Sequence, residues 1–257
     1  MLIATLPLLW RLTIFLVAGV AAGISNGIAG GGTFIVFPTM LAMGISALQA
    51  NVSSSVGVVP SFLGGIRNFR SELGVHRHFI RSLLPSCVLG TATGCALLLS
   101  GSPSTFRSVV PWLIGAGTAL FAMSPIITKR LAHFHDEHPG RRWALLVGVF
   151  IVSIYGGYFG AGLGILLLAV LAVTVPLDIN DIQGIRIVLS IVISSLAAII
   201  FIIRGDLAWD AVYMFMIGTL IGGWLGTLLV RRLSANVVRS LIIATGLVTT
   251  LRLALTS

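Results

Sequence analysis

Residues 12–66 read LTIFLVAGVAAGISNGIAGGGTFIVFPTMLAMGISALQANVSSSVGVVPSFLGGI, and these 55 positions contain no Asp, Glu, Lys or Arg. A helix needs about 20 predominantly apolar residues to cross a bilayer. The run is therefore long enough for more than one crossing. Further charge-free runs follow along the chain, at 82–106, 108–128, 143–177, 187–203 and 211–230.

The composition of the 257 residues points the same way, with 57% apolar and only 9% charged residues. Soluble domains are about 45–50% apolar and about 25% charged, so a soluble, disordered or fibrous protein is excluded. The sequence also lacks the alternation of a β-barrel. We predict an all-α integral membrane protein in contact with the lipid bilayer. The formal net charge of +9 then reflects basic cytoplasmic loops, and no nucleic-acid partner is expected.

Eight apolar segments are predicted, at about 8–43, 47–65, 79–100, 106–128, 143–175, 183–203, 208–230 and 235–255. The first and the fifth are too long for one crossing. Each contains a glycine cluster near its middle, GIAGGG at 27–32 and GGYFGAG at 156–162. Gly costs about 1 kcal/mol relative to Ala inside a helix. The first segment of each half is therefore expected to be broken or re-entrant at its glycines.

The two halves of the chain resemble each other at an offset of about 130 residues. The matches keep the same order along the chain: Gly27, Gly30 and Gly32 fall on Gly157, Gly160 and Gly162, Gln49 on Gln183, and Gly90 and Gly94 on Gly222 and Gly226. We infer an internal duplication, which is common in secondary transporters. The predicted units are a first repeat at 1–128, a cytoplasmic linker at 129–142 and a second repeat at 143–257.

Two membrane topologies are compatible with the basic residues. If each long segment crosses once, 11 of the 16 Lys and Arg share one side; if each is a broken hairpin, 12 of the 16 do. The two counts are nearly equal, so the distribution of basic residues does not decide between the two topologies. The hairpin topology makes the repeats inverted, an arrangement that suits alternating access to a site at the midplane, and we favour it. Both topologies place the loops at 67–81 and 129–142 in the cytoplasm.

The glycine breaks are the first candidate site. Unwound backbone is tolerated at membrane depth where it is buried or lines a cavity, and it exposes helix N-termini that favour anions. The alternative is close helix packing by small residues, which we assign to Gly90 and Gly94. The substrate-binding residues predicted here are Ser25, Asn26, Gly30, Gly31, Gly32 and Thr33 in the first break, and Tyr155, Tyr158, Gly160 and Gly162 in the second.

The helices that follow the breaks carry a second set of polar candidates. Asn51, Ser54 and Ser55 share one helix face, because they lie three and four positions apart. Ser190 and Ser194 repeat this spacing in the second half. We predict that both sets bind substrate, and the alternative is hydrogen bonding within or between helices.

Arg186 follows Gln183, another candidate, and precedes 17 uncharged positions. A charge at such a position must reach the interface, pair with another charge or face water. The guanidinium of Arg can donate two hydrogen bonds to one oxyanion, so we predict that Arg186 binds an anionic substrate. The alternatives are an interfacial anchor, or pairing with Asp178 or Asp181.

Other chemistry finds little support in the sequence. His133, His135 and His138, with Asp136 and Glu137, are too tightly spaced for one helix face, and a soluble connector is the better interpretation. No carboxylate lies deep in an apolar run, so a carboxylate proton relay has no candidate. No nucleotide loop, Ser-His-Asp order or helical zinc motif is present. We expect no enzymatic activity, no cofactor and no metal site.

The motifs GIAGGGTFIVFP at 27–38 and GGYFGAGLGILLL at 156–168, with IQGIRIVL at 182–189, resemble the sulfite exporter TauE/SafE family. The resemblance covers roughly residues 12–252. It implies a multi-pass transporter of the bacterial inner membrane that moves small anions, typically sulfite, sulfonates or sulfoacetate. It also implies that the glycine motifs, Asn51 with its following serines, and Arg186 form the site.

The sequence departs from the family pattern at two points. Thr33 replaces a usual fourth glycine, and no basic residue lies near Ser55. Both departures argue against a two-cation site and a strongly charged substrate. The alternatives to a carrier are a membrane-embedded partner subunit and an anion channel. Coupling to a proton or a sodium ion stays open, and no oligomeric state is predicted.

Overall fold

The computed structural model describes residues 7–28, 30–63, 76–131, 141–229, 240 and 243–251, and within these ranges the regular structure is entirely helical. A short 3-10 turn at Val59–Ser61 follows α3, and residues 243–251 are helical. The principal helices are α1 (Leu8–Ile28), α2 (Thr33–Ala42), α3 (Ala47–Gly57), α4 (Arg77–Ser100), α5 (Pro103–Leu131), α6 (Arg141–Tyr158), α7 (Leu163–Thr174), α8 (Ile179–Arg204) and α9 (Trp209–Leu229).

The helices have the surface of a membrane protein. Three stretches in the described chain are long and apolar enough to cross a bilayer, namely Leu8–Gly27, Arg77–Ser100 and Asn180–Arg204. Large apolar side chains point outward, and Trp112 and Trp143 are 79% and 73% exposed. Contiguous exposed apolar surface of this kind is stable only against lipid or protein. The predicted all-α membrane class is confirmed.

Both glycine clusters interrupt their helices. Gly30 separates α1 from α2 and Gly160 separates α6 from α7, with left-handed φ values of 78° and 74°. Glycine has no β-carbon and adopts this conformation without strain. Each also donates its N–H to the carbonyl five residues earlier, Ser25 and Tyr155 respectively, at 3.1 Å. The two breaks thus share one local geometry.

The chain reverses direction at each break. Along α6 and α7, a β-carbon on Gly156 would lie 3.0 Å from Leu163 Cδ1, and one on Gly148 would lie 2.8 Å from Val170 Cγ1. Earlier residues of α6 therefore face later residues of α7, which defines an antiparallel hairpin. At the first break, a β-carbon on Gly32 would lie 2.7 Å from the carbonyl oxygen of Ala22. At both breaks the second helix thus returns alongside the first.

The first helix of each half packs against the fourth helix of the other half. The two pairs are α1 with α9 and α4 with α6. A β-carbon on Gly23 would lie 2.5 Å from the Thr219 carbonyl oxygen, and one on Gly90 would lie 2.5 Å from that of Phe150. A β-carbon on Gly94 would overlap the carbonyl oxygen of Ile154. Small residues let the paired backbones approach this closely.

The helices α3 and α8, which follow the two hairpins, contact each other in the interior. Asn51, Ser53 and Ser54 on α3 are completely buried. Ser53 Oγ accepts a hydrogen bond of 2.9 Å from the backbone N–H of Ala208, which lies just before α9. The fold therefore places both hairpin tips beside α3 and α8.

Candidate functional site

A cavity of about 40 Å³ lies where the two breaks meet α3 and α8. A water molecule needs about 10–15 Å³ of such volume, so roughly three waters or one small ion fit. Eight of the predicted substrate-binding residues line it, namely Asn26, Gly30, Thr33, Ser55, Gly160, Arg186, Ser190 and Ser194.

Arg186 brings a positive charge to the point where the hairpin tips touch. It lies two turns into α8, roughly 10 Å from the start of the helix. A β-carbon on Gly30 would lie 3.3 Å from Arg186 Nη1, and one on Gly164 would lie 3.0 Å from the same atom. The guanidinium therefore reaches the centre of the fold and does not turn back toward the beginning of α8, as an interfacial anchor would.

No carboxylate in the described part of the chain pairs with Arg186. Asp181 instead lies 3.2 Å from His76 Nε2, and Asp178 is exposed at the N-cap of α8. Arg186 Nε is buried without a hydrogen-bond partner among the described residues. Removing an ion from water costs several kcal/mol unless a partner compensates. This arrangement is suited to an anion that completes the site.

The stripe of α8 that faces the cavity continues from Arg186 through Ser190 to Ser194. These residues are four positions apart and lie on one helix face. Across the cavity stands Ser55 of α3, whose Oγ donates to the Asn51 carbonyl at 3.0 Å. With Thr33 at the start of α2, the walls therefore offer one cation and four hydroxyl groups.

Asn26 lines the cavity, but its amide also holds the first break together. Its Oδ1 accepts a 2.6 Å hydrogen bond from the N–H of Gly32, and its Nδ2 donates to Ser61 Oγ at 2.9 Å. The side chain thereby ties the start of α2 to the turn that follows α3. Gly32 takes part in this contact through its backbone N–H, and it does not line the cavity.

Asn51 and Ser54 face away from the cavity. Asn51 Nδ2 donates to the carbonyl of Tyr158, the last residue of α6, at 2.9 Å. Ser54 Oγ donates to the Asn51 carbonyl at 2.9 Å. A residue of the first half therefore caps the helix that enters the second break.

Tyr155 also stabilises the second break. Its hydroxyl donates to the carbonyl of Ala161 at 2.6 Å, across the turn. Gly162 adopts a φ of 76° and precedes α7. Ser25 is buried, and its Oγ has no partner in the ranges that the structure covers. The predicted residues outside the cavity lining are Ser25, Gly31, Gly32, Asn51, Ser54, Tyr155, Tyr158, Gly162 and Gln183.

The apolar part of the lining was not predicted from the sequence. Val58 and Phe62 follow Ser55 at spacings of three and seven, so a helical face drawn through Ser55 would have found them. Gly164 lies within the second glycine motif, at 156–168, but is not among the predicted binding residues. The unpredicted lining residues are Val58, Phe62, Gly156, Phe159, Leu163, Gly164, Ile187 and Ala197.

Some predicted features fall outside the described residues. These are the cluster His133, His135 and His138, most of the loop at 67–81, and the start of the last apolar segment. Cys87 and Cys95 lie within the described chain and are buried free thiols.

Comparison with known proteins supports one family over nearly the whole chain. The family model for the sulfite exporter TauE/SafE matches residues 15–253. A probable membrane transporter protein of Haemophilus influenzae is 23% identical over 236 residues, which cover 90% of each chain. The probable membrane transporter protein YfcA of Escherichia coli K12 is 20% identical over 250 residues, 96% of this chain and 90% of that protein. No solved structure matches the chain. The protein belongs to the sulfite exporter TauE/SafE family and is a multi-pass membrane transporter, with a small-molecule substrate and a non-enzymatic function.

Proposed function

We propose that the protein is a secondary transporter of small sulfur-containing anions, such as sulfite and small sulfonates, in the bacterial inner membrane. The observation that carries this proposal is the guanidinium of Arg186, which reaches the cavity between two hairpin tips without a carboxylate partner in the described chain. At 4 Å, an anion and a cation attract by about 4 kcal/mol at an effective dielectric constant of about 20. Such an attraction offsets much of the cost of desolvating the pair.

The helix ends around the cavity also favour an anionic substrate. The helices α2 and α7 both begin beside it, at Thr33 and Leu163. Helix N-termini carry partial positive charge and favour anions. The cavity therefore receives positive potential from one side chain and from two helix starts.

The size of the cavity favours the smallest members of this substrate class. About 40 Å³ accommodates roughly three waters, which is close to a four-atom oxyanion such as sulfite. An aromatic sulfonate requires a larger cavity. With one cation and four hydroxyl groups on the walls, the site suits an anion of low charge.

The broken hairpins and the reciprocal helix pairing support two inverted repeats, at 1–128 and 143–257. In this arrangement the linker at 129–142 is cytoplasmic, both termini are periplasmic, and the site lies near the midplane. Alternating access then arises from movement of one hairpin against the other. The bacterial relatives support the assignment to the inner membrane.

The same cavity bears on the two alternatives. A partner subunit without transport has no use for a buried cation that lacks a carboxylate. A channel needs a continuous pathway, whereas the cavity is small and lies between packed hairpin tips. Because no carboxylate lies in the deep apolar runs, coupling to a proton or to sodium would use other groups. We therefore include both ions in the test.

The test is sulfite binding and transport by the purified protein. Thermal-shift titrations compare sulfite, sulfoacetate, toluenesulfonate and chloride in wild type, Arg186→Gln and Arg204→Gln. Arg204 is the matched control because it lies exposed at the end of the same helix. We expect stabilisation by sulfite in wild type and Arg204→Gln, and its loss in Arg186→Gln.

Counterflow of labelled sulfite into proteoliposomes, under imposed proton or sodium gradients, then distinguishes a carrier from a channel. Saturable counterflow supports a carrier. Non-saturating flux indicates a channel, and the absence of both binding and flux would contradict the proposal.

A further inference from the structure

We infer that Gly164 is a positioning residue that, together with Gly30, forms a slot through which the Arg186 guanidinium reaches the cavity. This inference rests on the proposed anion-binding role of Arg186. Glycine at position 164 leaves room for the cation, because a methyl group there would force the guanidinium to shift.

The atoms nearest to a β-carbon at Gly164 belong to the arginine. A β-carbon there would have three nearest neighbours, Arg186 Nη1 at 3.0 Å, Arg186 Cζ at 3.7 Å and Gly30 Cα at 3.8 Å. The first distance is tighter than about nine in ten real contacts of a β-carbon. An alanine at this position therefore requires the guanidinium to shift by a few tenths of an ångström, away from its place in the slot.

Two other reasons for a glycine do not apply at this position. Gly160 and Gly162 have left-handed φ values, but Gly164 is not among the positive-φ residues. Gly23 and Gly90 face the backbone of a neighbouring helix at 2.5 Å, whereas the nearest backbone atom at Gly164 is at 3.8 Å. The lack of a β-carbon at position 164 therefore leaves room for the guanidinium.

The first half of the chain has the opposite combination of residues. At the offset of 130, the position that matches Gly164 is Phe34, and Val52 matches Arg186 at the offset of the Gln49 and Gln183 pair. Phe34 is buried, and its ring contacts the position of a β-carbon on Gly162 at 3.4 Å. Glycine therefore occurs in the half that has an arginine at the matching position. The bulky ring of Phe34 occurs in the half that has a valine there.

Gly164→Ala is a clean variant because Ala favours a helix more than Gly does, and position 164 lies in the first turn of α7. The higher helix propensity of alanine alone leaves the melting temperature unchanged or raises it. Gly30→Ala is unsuitable, since the φ of 78° strains any side chain.

The experiment measures two quantities for wild type and Gly164→Ala, the melting temperature without ligand and the affinity for sulfite by thermal-shift titration. We expect an unchanged or higher melting temperature and an affinity that is lower by roughly tenfold, as for one lost hydrogen bond to a charged group. Arg186→Lys removes the branched guanidinium, so Gly164→Ala should weaken sulfite binding much less in that background.

The outcomes separate this inference from the proposed function. If Arg186→Gln retains sulfite affinity, the anion-binding role of Arg186 is wrong. If Arg186→Gln loses affinity but Gly164→Ala keeps it, the slot is wrong. A melting temperature of Gly164→Ala well below wild type, or an equal loss of affinity in the Arg186→Lys background, also overturns the slot, because glycine would then serve packing alone.

Discussion

Gly30 and Gly164 touch across the centre of the molecule, and a β-carbon on Gly30 would lie 3.7 Å from Gly164 Cα. The two residues belong to different hairpins and enclose the same cavity. The Nη1 atom of Arg186 lies beside both. A shift of either hairpin therefore changes the surroundings of the cation, which links hairpin movement to the affinity of the site.

The charge of Arg186 should matter more than its shape. We expect Arg186→Lys to keep partial transport with weaker binding, since an ammonium group retains the charge but loses the bidentate hydrogen bonding of the guanidinium. Arg186→Gln should lose about 1.5–3 kcal/mol of binding free energy. Sulfite titrations of the two variants measure this difference. Equal affinities in Lys and Gln variants would show that the charge does not hold the anion.

Asp181 should have little influence on the anion site. It pairs with His76 at 3.2 Å, and the two side chains are 29% and 15% exposed. Partly exposed pairs of this kind contribute at most about 1 kcal/mol. We therefore expect Asp181→Asn to change the melting temperature slightly and to leave sulfite affinity unaltered.

The same variant tests whether Asp181 neutralises Arg186. If it does, Asp181→Asn should rescue Arg186→Gln, because the stranded carboxylate is removed. The geometry predicts no rescue, and Asp178→Asn, at the exposed N-cap, provides a second comparison. Recovery of the melting temperature with unchanged anion affinity in either double variant would place Arg186 outside the site.

Glycines of the helix interfaces should respond to substitution according to their neighbours. Gly94→Ala forces a methyl group into the Ile154 carbonyl oxygen, and overpacking of this kind costs about 1–3 kcal/mol. Gly115→Ala is the matched control, since its β-carbon would meet Thr250 Cγ2 at an ordinary 3.4 Å. Thermal unfolding in detergent should show a clear loss for Gly94→Ala only. Equal melting temperatures would mean that α4 and α6 separate without cost.

The topology predicts where single cysteines react. In a Cys87→Ser and Cys95→Ser background, cysteines placed at Ser71 and Gly140 should stay unlabelled by a membrane-impermeant maleimide in intact cells. Tags at the two termini should be accessible from the periplasm, as the broken hairpins require. Labelling of either loop from outside would overturn the cytoplasmic assignment. Buried Cys87 and Cys95 would contribute little background even before their removal.

Local patterns were sufficient to predict the breaks and several cavity residues. Glycine clusters inside apolar segments predicted the turns at Gly30 and Gly160, because helix propensity is a local property. The charge of Arg186 stood out against its apolar surroundings. The spacing of Ser190 and Ser194 likewise reported a helix face.

Tertiary contacts determined what the patterns could not predict. Asn51 shares a helix face with Ser55, yet its amide reaches the Tyr158 carbonyl of the other half, a contact that depends on how the halves interlock. Gly94 and Gly164 are the same residue type in apolar helices. One faces a backbone carbonyl and the other a guanidinium, and only the arrangement of neighbouring helices separates these roles.

The pairing of α1 with α9 has a consequence for biosynthesis. Gly19, Gly23 and Gly27 line a helix surface that faces residues of α9 such as Gly218 and Gly226, about 200 positions later in the chain. At a translation rate of about 5–20 residues per second, roughly 10–40 s pass between the synthesis of α1 and the synthesis of α9. The glycine-lined surface of α1 packs against a helix of the other half, so a ribosome that stalls before α9 leaves this surface exposed to lipid and to quality-control proteases.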